Sequence, residues 1–236
     1  MDLKIKDVAE LLRVSETTVR RWLADTKKND RFPAYLINHQ YRFNREEVER
    51  WVMRRRQGLA DEGSFFLEES HPQAVSSGSL QFSLYRALHK GAVVDHIPGK
   101  TKAEVIRATM DRVADSLELD AEGVAGLLLD RERLQPTALG YGMALPHTRD
   151  FLLNRAYDIV VVAYLDEPID FEALDGQPVQ TLFFLFASDD RRHLHLLAKT
   201  AYLVSQPSAR QMLGLRPDKD SLLEYIKQWE SSIQKK

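Results

Sequence analysis

Apolar positions near the start of the chain follow a helical period, then a strand period, then a helical period again. Between Lys6 and Leu12, Val8, Ala9, Leu11 and Leu12 fall on one side of a short helix. Arg13-Val14-Ser15 breaks that pattern, and Ser15 is placed to cap a second helix through TTVRRWLAD. There Val19, Trp22 and Leu23 recur at i, i+3 and i+4 and define an inward face. Thr17 and Arg21, flanked by Thr18 and Arg20, define the outward one. Two strand-like runs, PAYLI and YRFN, flank Asn38-His39-Gln40 and predict a hairpin. Asn44 then begins a third helix, REEVERWVMRRR, with Val48, Trp51 and Val52 at core spacing.

The pattern stops over residues 54–79, RRRQGLADEGSFFLEESHPQAVSSGS. This stretch turns from basic to acidic and ends in Ser and Gly, which predicts a flexible connector. Phe65 and Phe66 are its candidates for docking on a domain or a second subunit. Beyond it, helical and strand-like runs alternate. A short helix precedes the strand AVVDHI, and Thr101 with Glu104 predicts a capping box for a helix to about Leu117. A further helix is expected from about Ala121 to Arg131. Two apolar strands follow, DIVVVAYL and VQTLFFLFA. Asp189 or Asp190 is placed to cap RHLHLLAKTAYLVS, and SLLEYIKQWESSI forms a last helix. Helices interleaved with apolar strands predict an α/β layered domain, a mixed sheet flanked by helices. The expected organisation is a small domain over 1–56, a linker over 57–79 and the α/β domain over 80–232.

Charge sharpens this division. Residues 1–58 carry 14 Lys and Arg against 9 Asp and Glu, a net +5, whereas the remainder carries 19 against 26, a net −7. A basic head on an acidic body predicts two modules with different partners. The 236 residues contain no cysteine, which excludes disulfides, thiol nucleophiles and cysteine-ligated zinc. No apolar run approaches the roughly 20 residues that span a bilayer. The amphipathic start MDLKIKDVAELL has no signal-peptide core. A soluble cytoplasmic protein without membrane attachment is expected.

The chemistry-bearing residues are chiefly histidines: His39, His71, His89, His96, His147, His193 and His195. PGKT at 98–101 is not a P-loop, because Val94 stands where that motif needs glycine. His193 and His195 are two apart and project to different sides of a helix, so no metal site is expected from them. No nucleophile elbow for a serine-type triad is visible. GYGMALPHTR, residues 140–149, is the most distinctive stretch. Gly140 and Gly142 let backbone approach closely, and Pro146 stiffens the backbone before His147. The stretch is either a turn ending in a solvated histidine or a loop that presents one imidazole nitrogen.

Two resemblances bear on these alternatives. IKDVAELLRVSETTVRRWL…FPAYLINHQYRFNREEVERWV resembles the excisionase-type, MerR-like winged helix-turn-helix domain over about the first 53 residues. It departs from that family at DTKKNDRF, where related sequences have a shorter, glycine-containing turn. The resemblance implies DNA binding by the second helix in the major groove and by the wing on the backbone or minor groove. Thr17, Thr18, Arg20 and Arg21 are then the candidates on the helix, with Lys27 and Arg42 for phosphate contact. One such unit reads few base pairs. A homodimer is therefore expected, on half-sites about one helical turn, ~34 Å, apart.

RERLQPTALGYGMALPHTR together with HLHLLAKTAYL resembles the enzyme IIA domain of the fructose/mannitol/nitrogen class of the phosphoenolpyruvate-dependent phosphotransferase system. The resemblance covers about residues 80–232. Arg131 lies 16 residues before His147 and His193 lies 46 after it, as in that family. By position, His147 matches the phosphorylated histidine, His193 the second active-site histidine and Arg131 the arginine beside them. Thr137, Gly140 and Gly142 match the loop that shapes the site, and His195 matches no functional position. The resemblance implies a phosphohistidine phosphocarrier that needs no bound cofactor and takes its phosphoryl group from HPr or a paralogue. IIB units of this class carry phosphate on cysteine, so any IIB must be a separate protein. The combination implies a regulator that couples phosphorylation of His147 to DNA binding. The alternative is a plain IIA phosphocarrier serving a separate IIB, its head used for assembly or localisation.

Overall fold

The computed structural model describes residues 3–12, 14, 16–24, 31–37, 40–57, 82–148 and 157–233. The head consists of α1 (Ile5–Leu12), α2 (Glu16–Ala24), the antiparallel strands β1 (Tyr35–Ile37) and β2 (Gln40–Arg42), and α3 (Arg45–Gln57). Asn44 caps α3 as its side chain predicts: Oδ1 accepts the Glu46 N–H at 2.9 Å. Leu3 and Phe43 exchange backbone hydrogen bonds of 2.9 Å in both directions, tying the start of the chain to the end of β2. Four buried rings, Trp22, Phe32, Phe43 and Trp51, form the centre, and Val8, Val19 and Val48 close around them. Ring centroids run from 4.6 Å for Phe32–Trp51 to 5.6 Å for Phe32–Phe43, in the tilted and edge geometries that the ring quadrupole favours.

The body comprises α4 (Ser83–Lys90), β3 (Ala92–Ile97), α5 (Lys102–Leu117), α6 (Ala121–Leu134), β4 (Ala138–Gly140), β5 (Met143–Ala144), β6 (Ile159–Ile169), β7 (Val179–Phe186), α7 (Asp190–Ser205), α8 (Pro207–Gly214) and α9 (Lys219–Ile233). Its sheet has the order β3-β6-β7-β5-β4. β3–β6 and β5–β7 are parallel, while β6–β7 and β4–β5 are antiparallel. The central strands read as unbroken apolar runs because both faces are covered. Val160, Val162 and Tyr164 of β6 face α4, α7, α8 and α9, whereas Ile159, Val161 and Ala163 face α5 and α6.

The expected caps among the described residues follow the sequence with one variation, while Ser15, expected to cap the second helix, lies outside those residues. Thr101 Oγ1 accepts the Glu104 N–H at 3.2 Å, but the Glu104 carboxylate takes the Lys100 N–H at 2.7 Å rather than that of Thr101. Asp189 Oδ1 caps α7 through the Arg192 N–H at 2.9 Å. Three elements differ from expectation. α6 continues to Leu134, β4 and β5 form a short hairpin within the stretch read as loop, and α8 follows α7 directly. Pro207 at the first position of α8 presets its φ, so the residue that signals a stop to α7 also starts α8. No described helix is long and apolar enough to cross a membrane.

Gly91 joins α4 to β3, where a Cβ would lie 1.8 Å from the carbonyl oxygen of Val160 on the neighbouring β6. Backbone in a sheet centre has no freedom to yield. Gly91→Ala is expected to cost roughly 3 kcal/mol or more, read as a lowered denaturant midpoint of the full-length chain.

The head and body are packed together. α1 and α3 lie against α7, and the head's aromatic core continues without interruption into the cluster between the sheet and α7. The segment 58–81, which carries Phe65, Phe66 and His71, lies outside the described residues.

Candidate functional site

The site is built on the hairpin that follows α6. Gly140 and Gly142 have φ of 83° and 74°, with Tyr141 at 55° between them. A Cβ on Gly140 would also meet the Asp175 carboxylate at 2.9 Å, and that carboxylate accepts the Tyr141 N–H at 2.7 Å. Both conformation and space therefore require glycine there. Thr137 anchors the start of the hairpin: its N–H and hydroxyl donate to buried Glu132 at 3.1 and 2.6 Å. Lys102 Nζ, 3.1 Å from Glu132, completes that carboxylate's partners. The Leu145 N–H donates to the Thr137 carbonyl at 3.0 Å, and the Leu185 N–H of β7 donates to Pro146 at 3.1 Å. His147 itself pairs with Leu185 as an isolated parallel bridge. Its backbone is thus held along the sheet rather than on a free loop.

The His147 ring has a defined tautomer. Nδ1 lies 2.8 Å from the Leu145 carbonyl oxygen, and a carbonyl only accepts, so Nδ1 carries the hydrogen. In the neutral ring the lone pair is then on Nε2. His193, in the first turn of α7, brings its ring to a centroid distance of 5.1 Å from that of His147. His147 is 0% exposed and His193 2%. His195 turns away, with Nε2 2.8 Å from the Ser83 hydroxyl, which also receives Lys199 Nζ at 3.0 Å. Arg131 is buried near the end of α6, where Nη1 donates to the Gln135 carbonyl at 3.1 Å. It stands three residues before the Leu134 boundary that leads into the Thr137 hairpin, and not at the exposed salt-bridge position its neighbours suggest. Asp130 pairs instead with Arg133, at 2.8 Å.

A third side chain enters from the head. Glu49 of α3 is 1% exposed, and ligand atoms of Glu49, His147 and His193 all lie within 4.8 Å of one another. Glu49 Oε1 accepts from Arg45 Nε at 2.9 Å. In sequence, Arg45 and Glu49 read as an ordinary solvated i,i+4 pair, and nothing local marks the acid as buried. One carboxylate and two imidazoles are donors that zinc accepts. The Arg45 guanidinium already balances the Glu49 charge, so the cluster does not require a cation to be neutral.

On the head, Thr17, Arg20 and Arg21 are exposed on α2, and Arg20 makes a 3.8 Å contact with Glu16. Thr18 is 8% exposed and so does not belong to the outward set. It precedes Trp22 by one turn and shares its buried side. Arg42 is held on the wing, donating to Gln40 Oε1 at 2.9 Å and to the Tyr41 carbonyl at 3.2 Å. Lys27 lies outside the described residues.

Comparison with known proteins agrees with both halves of this description. The model of the phosphoenolpyruvate-dependent sugar phosphotransferase system EIIA 2 family matches residues 86–229, and that of a helix-turn-helix domain matches residues 3–56. A nitrogen regulatory protein of Pseudomonas aeruginosa is 34% identical over 146 residues, 61% of this chain and 94% of that one. A nitrogen regulatory protein of Bradyrhizobium diazoefficiens is 32% identical over 133 residues, 56% of this chain and 86% of that one. The crystal structure of nitrogen regulatory protein IIA-Ntr from Neisseria meningitidis superposes with a TM-score of 0.51 at 28% identity, covering 58% of this chain and 92% of that one. The chain therefore belongs to the EIIA 2 family of the phosphoenolpyruvate-dependent sugar phosphotransferase system, with a helix-turn-helix domain ahead of the family's unit.

Proposed function

We propose that the chain is a phosphotransferase-system regulator that accepts a phosphoryl group on His147 from an HPr-type carrier and couples it to DNA binding by the head. The observation that carries this reading is the 2.8 Å contact from His147 Nδ1 to the Leu145 carbonyl, which leaves Nε2 as the nucleophile. In the step, the Nε2 lone pair forms the new N–P bond while the donor's P–N bond breaks. The donor imidazole keeps the electron pair of the broken bond. The His147 ring, retaining its Nδ1 hydrogen, becomes an imidazolium that the Leu145 carbonyl stabilises. Such a transfer needs positioning and charge stabilisation more than covalent assistance. His193 is the candidate ring donor to the phosphoryl oxygens, and Arg131 the candidate guanidinium. Thr137, Gly140 and Gly142 hold the loop that presents His147. The donor arrives already activated, so no nucleotide or metal enters the step.

The packing of α3 and α1 on α7 favours a regulator over a plain carrier, because it puts the helix-turn-helix unit against the helix that bears His193. On DNA, Arg20 and Arg21 are proposed to contact the duplex, joined by Thr17, and by Arg42 on the wing. Retardation of genomic DNA fragments by the full-length chain tests this. Arg20→Ala and Arg21→Ala are each expected to weaken binding and to reduce the slope of log affinity against log salt by about 1. Binding that is identical with and without phosphoenolpyruvate, enzyme I and carrier would contradict the coupling.

A further inference from the structure

We propose that α3 is a built-in occupant of the phosphoacceptor face, with the Glu49 carboxylate lying where the incoming phosphoryl group must lie. Docking of the head and phosphorylation of His147 then exclude one another. This rests on the reading of His147 as acceptor and adds its regulation.

Three observations carry it. First, a donor protein must bring a phosphorus atom into line with His147 Nε2, yet His147 is 0% exposed and His193 2%. No macromolecular donor reaches a ring so covered, so the cover must move before transfer. Second, Glu49 lies beside both imidazoles, its ligand oxygen within 4.8 Å of one ring nitrogen of each, and is itself 1% exposed. An anionic oxygen beside two imidazoles is what a phosphoryl group would also supply there. Third, the cover is a packed interface and not a grazing contact. Val48, Trp51 and Val52 of α3 belong to the same buried cluster as Leu194, Leu197 and Ala201 of α7.

Phosphorylation adds a local charge of roughly −2 at the site. The Glu49 carboxylate cannot share that volume, and the Arg45 guanidinium that balances its single charge does not also balance the phosphoryl charge, so phosphorylated His147 expels α3 and with it the head. Arg20 and Arg21 are exposed in the docked state, so docking fixes the head's place on the body without covering the outward face of α2.

The test is a time course of labelling from an HPr-type carrier, on the full-length wild type, Glu49→Ala and Glu49→Gln, with hydrogen exchange measured before and after. Glu49→Gln keeps the shape of the side chain and removes its charge. Exchange in α5, on the far face of the sheet, reports whether each variant is folded. The expected result is labelling about tenfold faster in Glu49→Ala than in wild type, because a larger fraction of chains is open. Glu49→Gln is expected between them or equal to Glu49→Ala. In wild type, phosphorylation is expected to raise exchange in α3 and α7. Equal rates in all three folded chains, with exchange in α3 and α7 unchanged at full labelling, would overturn the proposal while leaving His147 the acceptor. Slower labelling of both variants would also overturn it, making Glu49 an aid to transfer. No label in any of the three would remove the acceptor reading, and the proposal with it.

Discussion

Replacing His147 with alanine is expected to lower acid-labile labelling by phosphoenolpyruvate, enzyme I and carrier by at least about a thousandfold, because the attacking lone pair is removed outright. His193 shares the site, but its backbone is fixed in the first turn of α7 by the Asp189 cap, whereas His147 follows the hairpin and bridges to Leu185 of β7. The change is also expected to leave the fold standing. Its structural loss includes the donor to the Leu145 carbonyl, worth about 1 kcal/mol, the ring contact with His193, and a small void beside β7. Far-ultraviolet circular dichroism on the same preparation separates lost chemistry from lost structure. Retained labelling in a folded His147→Ala chain would move the acceptor elsewhere.

The largest expected loss of stability lies away from the site, at Glu230. Its carboxylate is 2.6 Å from Lys199 Nζ, with both side chains almost fully buried. It also accepts the Leu84 and Tyr85 N–H groups at 3.1 and 3.0 Å, at the start of α4. One acid thus joins α9, α7 and α4. Glu230→Leu leaves Lys199 as a buried cation without its ion-pair partner and strands two donors at a helix start. Breaking one side of such a pair is expected to cost roughly 3–5 kcal/mol, read by chemical denaturation. Lys199→Met in the same chain removes the stranded charge and is expected to restore much of that. A residual deficit of about 1 kcal/mol remains for the lost cap. A cost under about 1 kcal/mol for Glu230→Leu alone would show that water or repacking replaces the carboxylate.

Much of this architecture is legible along the chain, for identifiable reasons. Trp22, Trp51 and their neighbours recur at helical spacing and are large enough to leave no choice of inward face. Asn44, Thr101 and Asp189 mark helix starts because their side chains satisfy backbone donors that have no other partner. The Gly-Tyr-Gly…Pro-His stretch marks a break in regular structure before His147 because its backbone angles need glycine, but nothing in it shows that the break is a two-stranded hairpin. Where reading failed, the missing information was tertiary. Pro207 ends one helix and begins another, which only the packing of α8 decides. Thr18 sits at the border of two faces of a nine-residue helix, and the neighbouring Trp22 draws it inward. Glu49 precedes His147 by 98 residues, and no local pattern connects an acid on a basic helix to a histidine that far along. The tautomer of His147 was equally invisible, since it depends on how the backbone folds back to Leu145.

Nε2 of His147 is the atom proposed to carry the phosphoryl group. Phosphorus–proton correlation by nuclear magnetic resonance on the labelled full-length chain tests it directly, because the two ring nitrogens couple phosphorus to different ring protons. One phosphorus signal is expected, joined to the His147 ring through Nε2, with the Nδ1 hydrogen still donated to Leu145. Phosphorus on Nδ1, or on His193, would contradict it.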